Sequence, residues 1–82
     1  MYNIKLLKDV DKFIRKQDKE TQRRIIEAIY KLPIGDVKKL KGYNNYFRLR
    51  VGNVRIIFEK DNEVYNIIVI DIGNRGQIYN KY

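Results

Sequence analysis

The sequence predicts an α+β domain: an N-terminal strand, then an antiparallel helical hairpin packed on a mostly antiparallel sheet of three to four strands. Three observations predict it. Two segments with helical spacing of apolar residues are joined by almost nothing. Two alternating segments flank Gly52-Asn53, a two-residue hairpin signal. The run from Val64 to Ile72 is nearly all apolar, as expected of a strand covered on both faces.

Taken in order, Tyr2–Leu7 alternates loosely and reads as a short strand. Lys8–Lys16 carries Val10, Phe13 and Ile14 at helical spacing. Asp18 is placed to cap a second helix, with Arg23 and Arg24 on its polar side and Ile25, Ile26, Ile29 and Leu32 on its apolar side. Pro33 and Gly35 stop it. Lys38, Lys39 and Lys41 stand just before the sheet, either as an extension of a phosphate track or as a solvent loop pinned by Leu40. In Tyr46–Val51, Phe47, Leu49 and Val51 share one face and Tyr46, Arg48 and Arg50 the other. Val54–Lys60 returns with Val54, Ile56 and Phe58 on one face and Arg55, Ile57 and Glu59 on the other. Gly73 ends the last strand, and a polar tail with Tyr79 and Tyr82 follows.

The 82 residues form a single domain with one modest core. Eighteen basic side chains against ten acidic ones give a net charge of +8, a field that favours phosphate backbones, acidic proteins or anionic membranes. Residues 1–42 hold twelve basic and six acidic groups and are Lys-rich; residues 43–82 hold six and four, and four of those six are Arg. The absence of Cys excludes a disulfide framework, a thiolate zinc site and a cysteine nucleophile. The absence of His excludes a histidine triad and a His-ligated metal, and the carboxylates are scattered, so no metal site and no cofactor is expected. With no membrane-length apolar run and no signal-peptide h-region, the chain reads as a cytoplasmic domain with no membrane partner.

The hairpin register is the most informative inference. With Gly52-Asn53 as the loop, Val51 pairs with Val54, Leu49 with Ile56 and Phe47 with Phe58, so one face is consistently apolar. Arg50 then faces Arg55, with Arg48 two residues along and Tyr46 opposite Glu59 at the end of the face. Like charges directly opposite destabilise a sheet by a few tenths to ~1 kcal/mol. An anion between the guanidiniums explains the arrangement; a solvated face without a ligand is the alternative. If the last strand lies beside Val54–Lys60, Arg75 leaves it near Arg50 and Arg55. Tyr79 is then either a stacking platform for a base or a surface tyrosine.

Leu40-Lys41-Gly42, the Arg48–Glu59 segment RLRVG-x-VRIIFE, and Ile72-Gly73-Asn74-Arg75 with Ile78-Tyr79 resemble the RelE toxins of the RelE/ParE superfamily across the whole chain. The resemblance implies the RelE/ParE-like microbial ribonuclease fold. It also implies a ribosome-dependent endonuclease (an mRNA interferase) that cleaves message in the ribosomal A site without metal and is held inactive by a cognate antitoxin. A ribose 2′-hydroxyl attacks the adjacent phosphate, leaving a cyclic phosphate and a 5′-hydroxyl. Arg48 and Arg50 match a basic pair, commonly lysine; Arg55 and Arg75 match arginines that hold the scissile phosphate; Tyr79 matches a tyrosine that stacks on or orients a base. Lys38, Lys39, Lys41 and Tyr46 are the candidate RNA-binding residues beside this catalytic set.

Two positions depart from the family pattern. A guanidinium is effectively never deprotonated, so Arg48 and Arg50 are poor bases and good phosphate ligands. Either transition-state charge stabilisation carries most of the rate or another group accepts the proton, with Glu59 the candidate acceptor and Tyr46 a weaker one. Asn74 stands where relatives often have His or Lys, and Asn is neither acid nor base. Activity is therefore expected to be slow or to lean on the ribosome. The competing readings are a ParE-type gyrase inhibitor acting by protein binding and an inactive relative that only binds RNA or antitoxin. The expected partners are an acidic, partly disordered antitoxin, the ribosome and mRNA, with operator DNA reached only through the antitoxin complex.

Overall fold

In the computed structural model, residues 2–43, 45–61, 63, 65–74 and 78 are described. The chain runs β1 (Asn3–Leu6), α1 (Lys8–Arg15), α2 (Lys19–Tyr30), β2 (Val37–Lys39), β3 (Tyr46–Val51), β4 (Val54–Asp61) and β5 (Asn66–Asn74). The strands form one sheet in the order β1-β5-β4-β3-β2. All neighbours are antiparallel except β1 and β5, which run parallel. That parallel pair needs a crossover, and the two helices with the β2–β4 meander supply it.

The sheet has five strands rather than three or four. The additional strand is β2: Val37, Lys38 and Lys39 pair with Leu49, Arg48 and Phe47. Three residues rich in lysine carry no strand pattern of their own, and pairing to β3 makes them one. The Leu40 N–H extends the ladder to the Tyr46 carbonyl at 2.9 Å. Lys38 and Lys39 thus lie on an edge strand instead of a loop, and charged side chains suit such an edge.

The helices begin and end for local reasons. Asp9 and Asp11 sit in the first turn of α1, where the helix dipole favours negative charge. The Asp18 carboxylate caps α2, accepting 2.6 Å from the Thr21 hydroxyl and 3.4 Å from its N–H. Val10 and Ile14 of α1 join Ile25 and Ile29 of α2, Leu32, and the sheet residues Leu49, Val54, Ile56, Phe58, Ile67, Val69 and Ile72 in one core. Ile26 departs from expectation. It lies on the α2 margin and is 39% exposed, because the core takes only the stripe through Ile25, Ile29 and Leu32.

The β3–β4 register matches the sequence expectation at every pair that expectation named, from Val51 with Val54 to Tyr46 with Glu59. Gly52 sits at φ +57° in the turn, a conformation that costs an L side chain roughly 1–2 kcal/mol. Phe47 and Phe58 stack at 5.5 Å on the helix side. On β5, the register shifts between Ile57 and Phe58, so Ile57 faces Asp71 and Phe58 faces Val69. Ile70 is left between those pairs as a bulge. The strand expected from Val64 to Ile72 is Asn66–Asn74, and its cover is uneven: Ile67 and Val69 are buried towards the helices, whereas Ile68 and Ile70 are half-buried.

Phe58 is fully buried at the junction of β4, β3 and the helices. Phe58→Ala is expected to cost about 3–5 kcal/mol, and Tyr30→Ala on the exposed end of α2 less than about 0.5 kcal/mol. Urea unfolding midpoints measure both, and equal midpoints would contradict this core.

Candidate functional site: a cationic pocket on the open sheet face

The face of the sheet away from the helices carries rows of residues set by strand pairing. One row runs Lys38, Arg48, Ile57 and Asp71 across β2, β3, β4 and β5; the next runs Arg50, Arg55 and Gly73. Lys38, Lys39, Leu40, Lys41, Arg48, Arg55, Ile57 and Ile78 enclose a cavity of about 250 Å³. Five cations and no carboxylate line it. Its floor is apolar: Ile57 and Ile78 are almost completely buried.

That floor explains a departure from the expected alternation. Ile57 points to the face that carries Arg48 and Arg55, yet it is as buried as a core residue, with Ile78 beside it at the cavity. An apolar residue at a polar-face position of a strand signals cover on that side, and Ile57 is that signal in the sequence. The result is an apolar base beneath a group of cations, where charges are screened less than on an open surface.

The structure divides the predicted cluster. Arg48 and Arg55 share the pocket with Lys38, Lys39 and Lys41. Arg50 pairs with Arg55 in register but lines a second groove with Arg24, Lys31, Gly35 and Asp36. It can turn away because β2 ends at Val37, opposite Leu49, which leaves Arg50 beyond the last β2 pair. Glu59 lies two residues along β4 from Ile57, paired with Tyr46, and does not line the pocket. Tyr46 stacks on Tyr43 at 5.3 Å with the rings 9° from parallel. Asn74 faces Val54, so β5 does run beside β4 and ends at the Gly52 turn, as the placement of Arg75 required. Arg75 and Tyr79 themselves lie outside the described residues.

Asp36 is the residue that sequence reasoning missed. Its carboxylate accepts from Arg50 Nε at 2.9 Å and approaches Arg48 Nη1 at 3.4 Å. Its carbonyl accepts from the Arg50 N–H at 3.1 Å and from Arg48 Nη1 at 3.3 Å. The anion expected between guanidiniums is therefore present within the chain, between Arg48 and Arg50 rather than between Arg50 and Arg55. Partial desolvation pushes the Asp36 carboxyl up, but the hydrogen bond and charge of Arg50, backed by those of Arg48, outweigh it and hold the pKa below its ordinary 3.8. Among the described residues no group of three or more His, Cys, Asp and Glu could hold a metal ion. None of the helices there is long and apolar enough to cross a membrane.

Comparison with known proteins finds toxins of type II toxin–antitoxin systems. Residues 4–79 match the family model described as the ParE toxin of type II toxin–antitoxin systems, parDE. Toxin RelE3 of Methanocaldococcus jannaschii is 45% identical over 47 residues, which is 57% of this chain and 51% of that protein. The match thus spans about half the length of that relative. The crystal structure of a RelB–RelE antitoxin–toxin complex from Methanococcus jannaschii matches at a TM-score of 0.73 and 30% identity, covering 95% of this chain and 98% of the other. The archaeal RelE–RelB complex from Pyrococcus horikoshii matches at a TM-score of 0.78 and 27% identity, covering 93% and 97%.

A depressed carboxyl adds stability above its unfolded pKa and loses it as pH falls through the folded value. The Asp36 contribution is thus complete above about pH 5 and disappears below the ordinary value of 3.8. Thermal midpoints of the native chain and Asp36→Asn, compared from pH 6 to pH 2.5, are expected to converge at the acid end. A constant gap would contradict the ion pair.

Proposed function

Because the chain belongs to the ParE toxin family of type II toxin–antitoxin systems and to its RelE-like members, we propose that it is an mRNA interferase: a metal-independent endoribonuclease acting on message in the ribosomal A site. The observation that carries this reading is the pocket in which Arg48 and Arg55 meet Lys38, Lys39 and Lys41 over an apolar floor. A phosphodiester with an adjacent flipped-out base has the matching chemistry, an anion for the cationic rim and a flat apolar ring for Ile57 and Ile78.

In the proposed reaction the ribose 2′-oxygen bonds to the adjacent phosphorus. The bond to the 5′-oxygen of the next nucleotide breaks, giving a 2′,3′-cyclic phosphate and a 5′-hydroxyl. Negative charge builds on the non-bridging oxygens, and Arg48 and Arg55 are held on neighbouring strands to meet it. Arg75 joins them, and Tyr79 orients the base, on the family resemblance. The proton from the 2′-hydroxyl needs an acceptor other than an arginine. Glu59, two residues along β4 from Ile57 on this face, is the candidate acceptor. Lys38, Lys39 and Lys41 track the flanking phosphates, with Tyr46 and Tyr43 at the end of the face. The relatives solved with RelB support an antitoxin as partner, and an acidic chain suits a domain of charge +8. Such a toxin works in the cytoplasm, where its message and ribosomes are.

A second reading has an observation behind it. The family model that matches carries the ParE name, and a ParE-type protein would inhibit gyrase by binding it. Cationic pocket chemistry favours the nuclease, since inhibition by protein binding has no need of paired arginines in a phosphate-sized hollow.

On the nuclease reading, Arg55→Ala and Arg75→Ala each lower cleavage roughly 10²- to 10³-fold, the scale for losing one charge-stabilising donor, and relieve growth arrest while the protein still folds. Purified protein added to programmed ribosomes, with 5′ ends of the message mapped, reads this out. Full toxicity in both variants, or DNA-damage signalling without cleaved message, would overturn it.

A further inference from the structure

Asp36 occupies a position that a substrate phosphate would also suit. Its carboxylate lies 2.9 Å from Arg50 Nε and 3.4 Å from Arg48 Nη1, just before β2, so it joins Arg48 of the pocket to Arg50 of the neighbouring groove. The two arginines differ in exposure: the Arg48 side chain is 14% exposed and that of Arg50 51%, with Asp36 at 47%. Solvent therefore reaches the carboxylate and one of its partners. The Gly35-Asp36 backbone leads directly into β2 and is anchored by main-chain bonds that do not involve the carboxylate, including Arg50 N–H to Asp36 O at 3.1 Å. The carboxylate can leave the guanidiniums without the strand coming apart.

We propose that Asp36 sets how strongly this face holds RNA: its carboxylate fills an anion position between Arg48 and Arg50, and a phosphate next to the scissile one enters that position by displacing it. The proposal rests on the reading of this face as an RNA site and adds a residue and a subsite to it. With Asp36 in place the pair presents one net positive charge; with the carboxylate displaced it presents two. The Arg50–Asp36 pair is exposed on both sides and the Arg48–Asp36 contact is long at 3.4 Å, so exchange for a phosphate is feasible, and the carboxylate makes every encounter with a polyanion less favourable than five pocket cations alone would. Arg50 then acts at the flanking phosphate rather than at the scissile one, which accounts for its turning away from Arg55.

The test is binding of a mixed-sequence RNA decamer with 2′-O-methyl riboses, which cannot be cleaved, measured against salt. Asp36→Asn is expected to bind about three- to tenfold tighter at low salt, with a log–log salt slope close to the native one, because displacement leaves both proteins with the same phosphate contacts. Asp36→Glu keeps the charge and stays near the native affinity. Glu63→Gln removes one negative charge at the opposite end of the sheet, in the β4–β5 turn, and shifts binding far less. Asp36→Ser serves if the Asn variant does not fold. Equal tightening by Glu63→Gln or by Asp36→Glu, or unchanged or weaker binding by the neutral Asp36 variants, overturns the role of Asp36. Arg48→Gln separates this from the parent reading: if it leaves RNA affinity unchanged, the face does not bind RNA and both fall; if it weakens binding while Asp36→Asn does nothing, only the displacement falls.

Discussion

Register in the β3–β4 hairpin is the constraint on which the site depends. A strand alternates with a period of two, so a single-residue slip would carry Phe47, Leu49, Ile56 and Phe58 to the open face and Arg48 and Arg55 into the core. Burying those arginines without partners would cost far more than any local gain, so the apolar face locks the pairing. The same lock aims the guanidiniums. Gly52 contributes by adopting φ +57° without a Cβ penalty. Stability and site geometry thus come from one set of contacts, and the arginines are held on rigid strands rather than on a loop.

Concentrating cations on one face has consequences for the rest of the molecule. Arg50 and Arg55 face each other in the ladder, and the strain is relieved by divergence: Arg55 stays over the pocket while Arg50 turns to Asp36 at the free end of β2. Edge strand β2 adds Lys38, opposite Arg48, to the same face. Ile57 and Ile78 below make the pocket more than a charged surface, because an apolar floor lowers the local dielectric and strengthens each charge above it.

Membership of a toxin family and possession of its fold do not by themselves specify a reaction. What argues for phosphoryl chemistry is the pairing of bidentate donors on adjacent strands. What distinguishes this chain within the pattern is arginine at Arg48 and Arg50 and Asn74 near the end of β5; on the proposed reading these side chains stabilise charge and transfer no proton.

The order of elements, the helix-capping Asp18, the hairpin turn and the Arg50–Arg55 opposition are all legible in the sequence, because each follows from local rules: side-chain period, turn chemistry and capping. Strand β2 is not, since three residues rich in lysine have no period to read and exist as a strand only through pairing with β3. The two features that depend on it were hidden for the same reason: the reach of Asp36 to Arg48 and Arg50, twelve and fourteen residues away, and the arrival of Lys38 and Lys39 on the pocket rim. Burial of Ile57 likewise awaited Ile78, which the chain brings back from beyond β5. Local chemistry determined which residues face which way; only the packing of distant segments decided which anion each guanidinium meets, because electrostatic partners are set by distance in space and not by spacing along the chain.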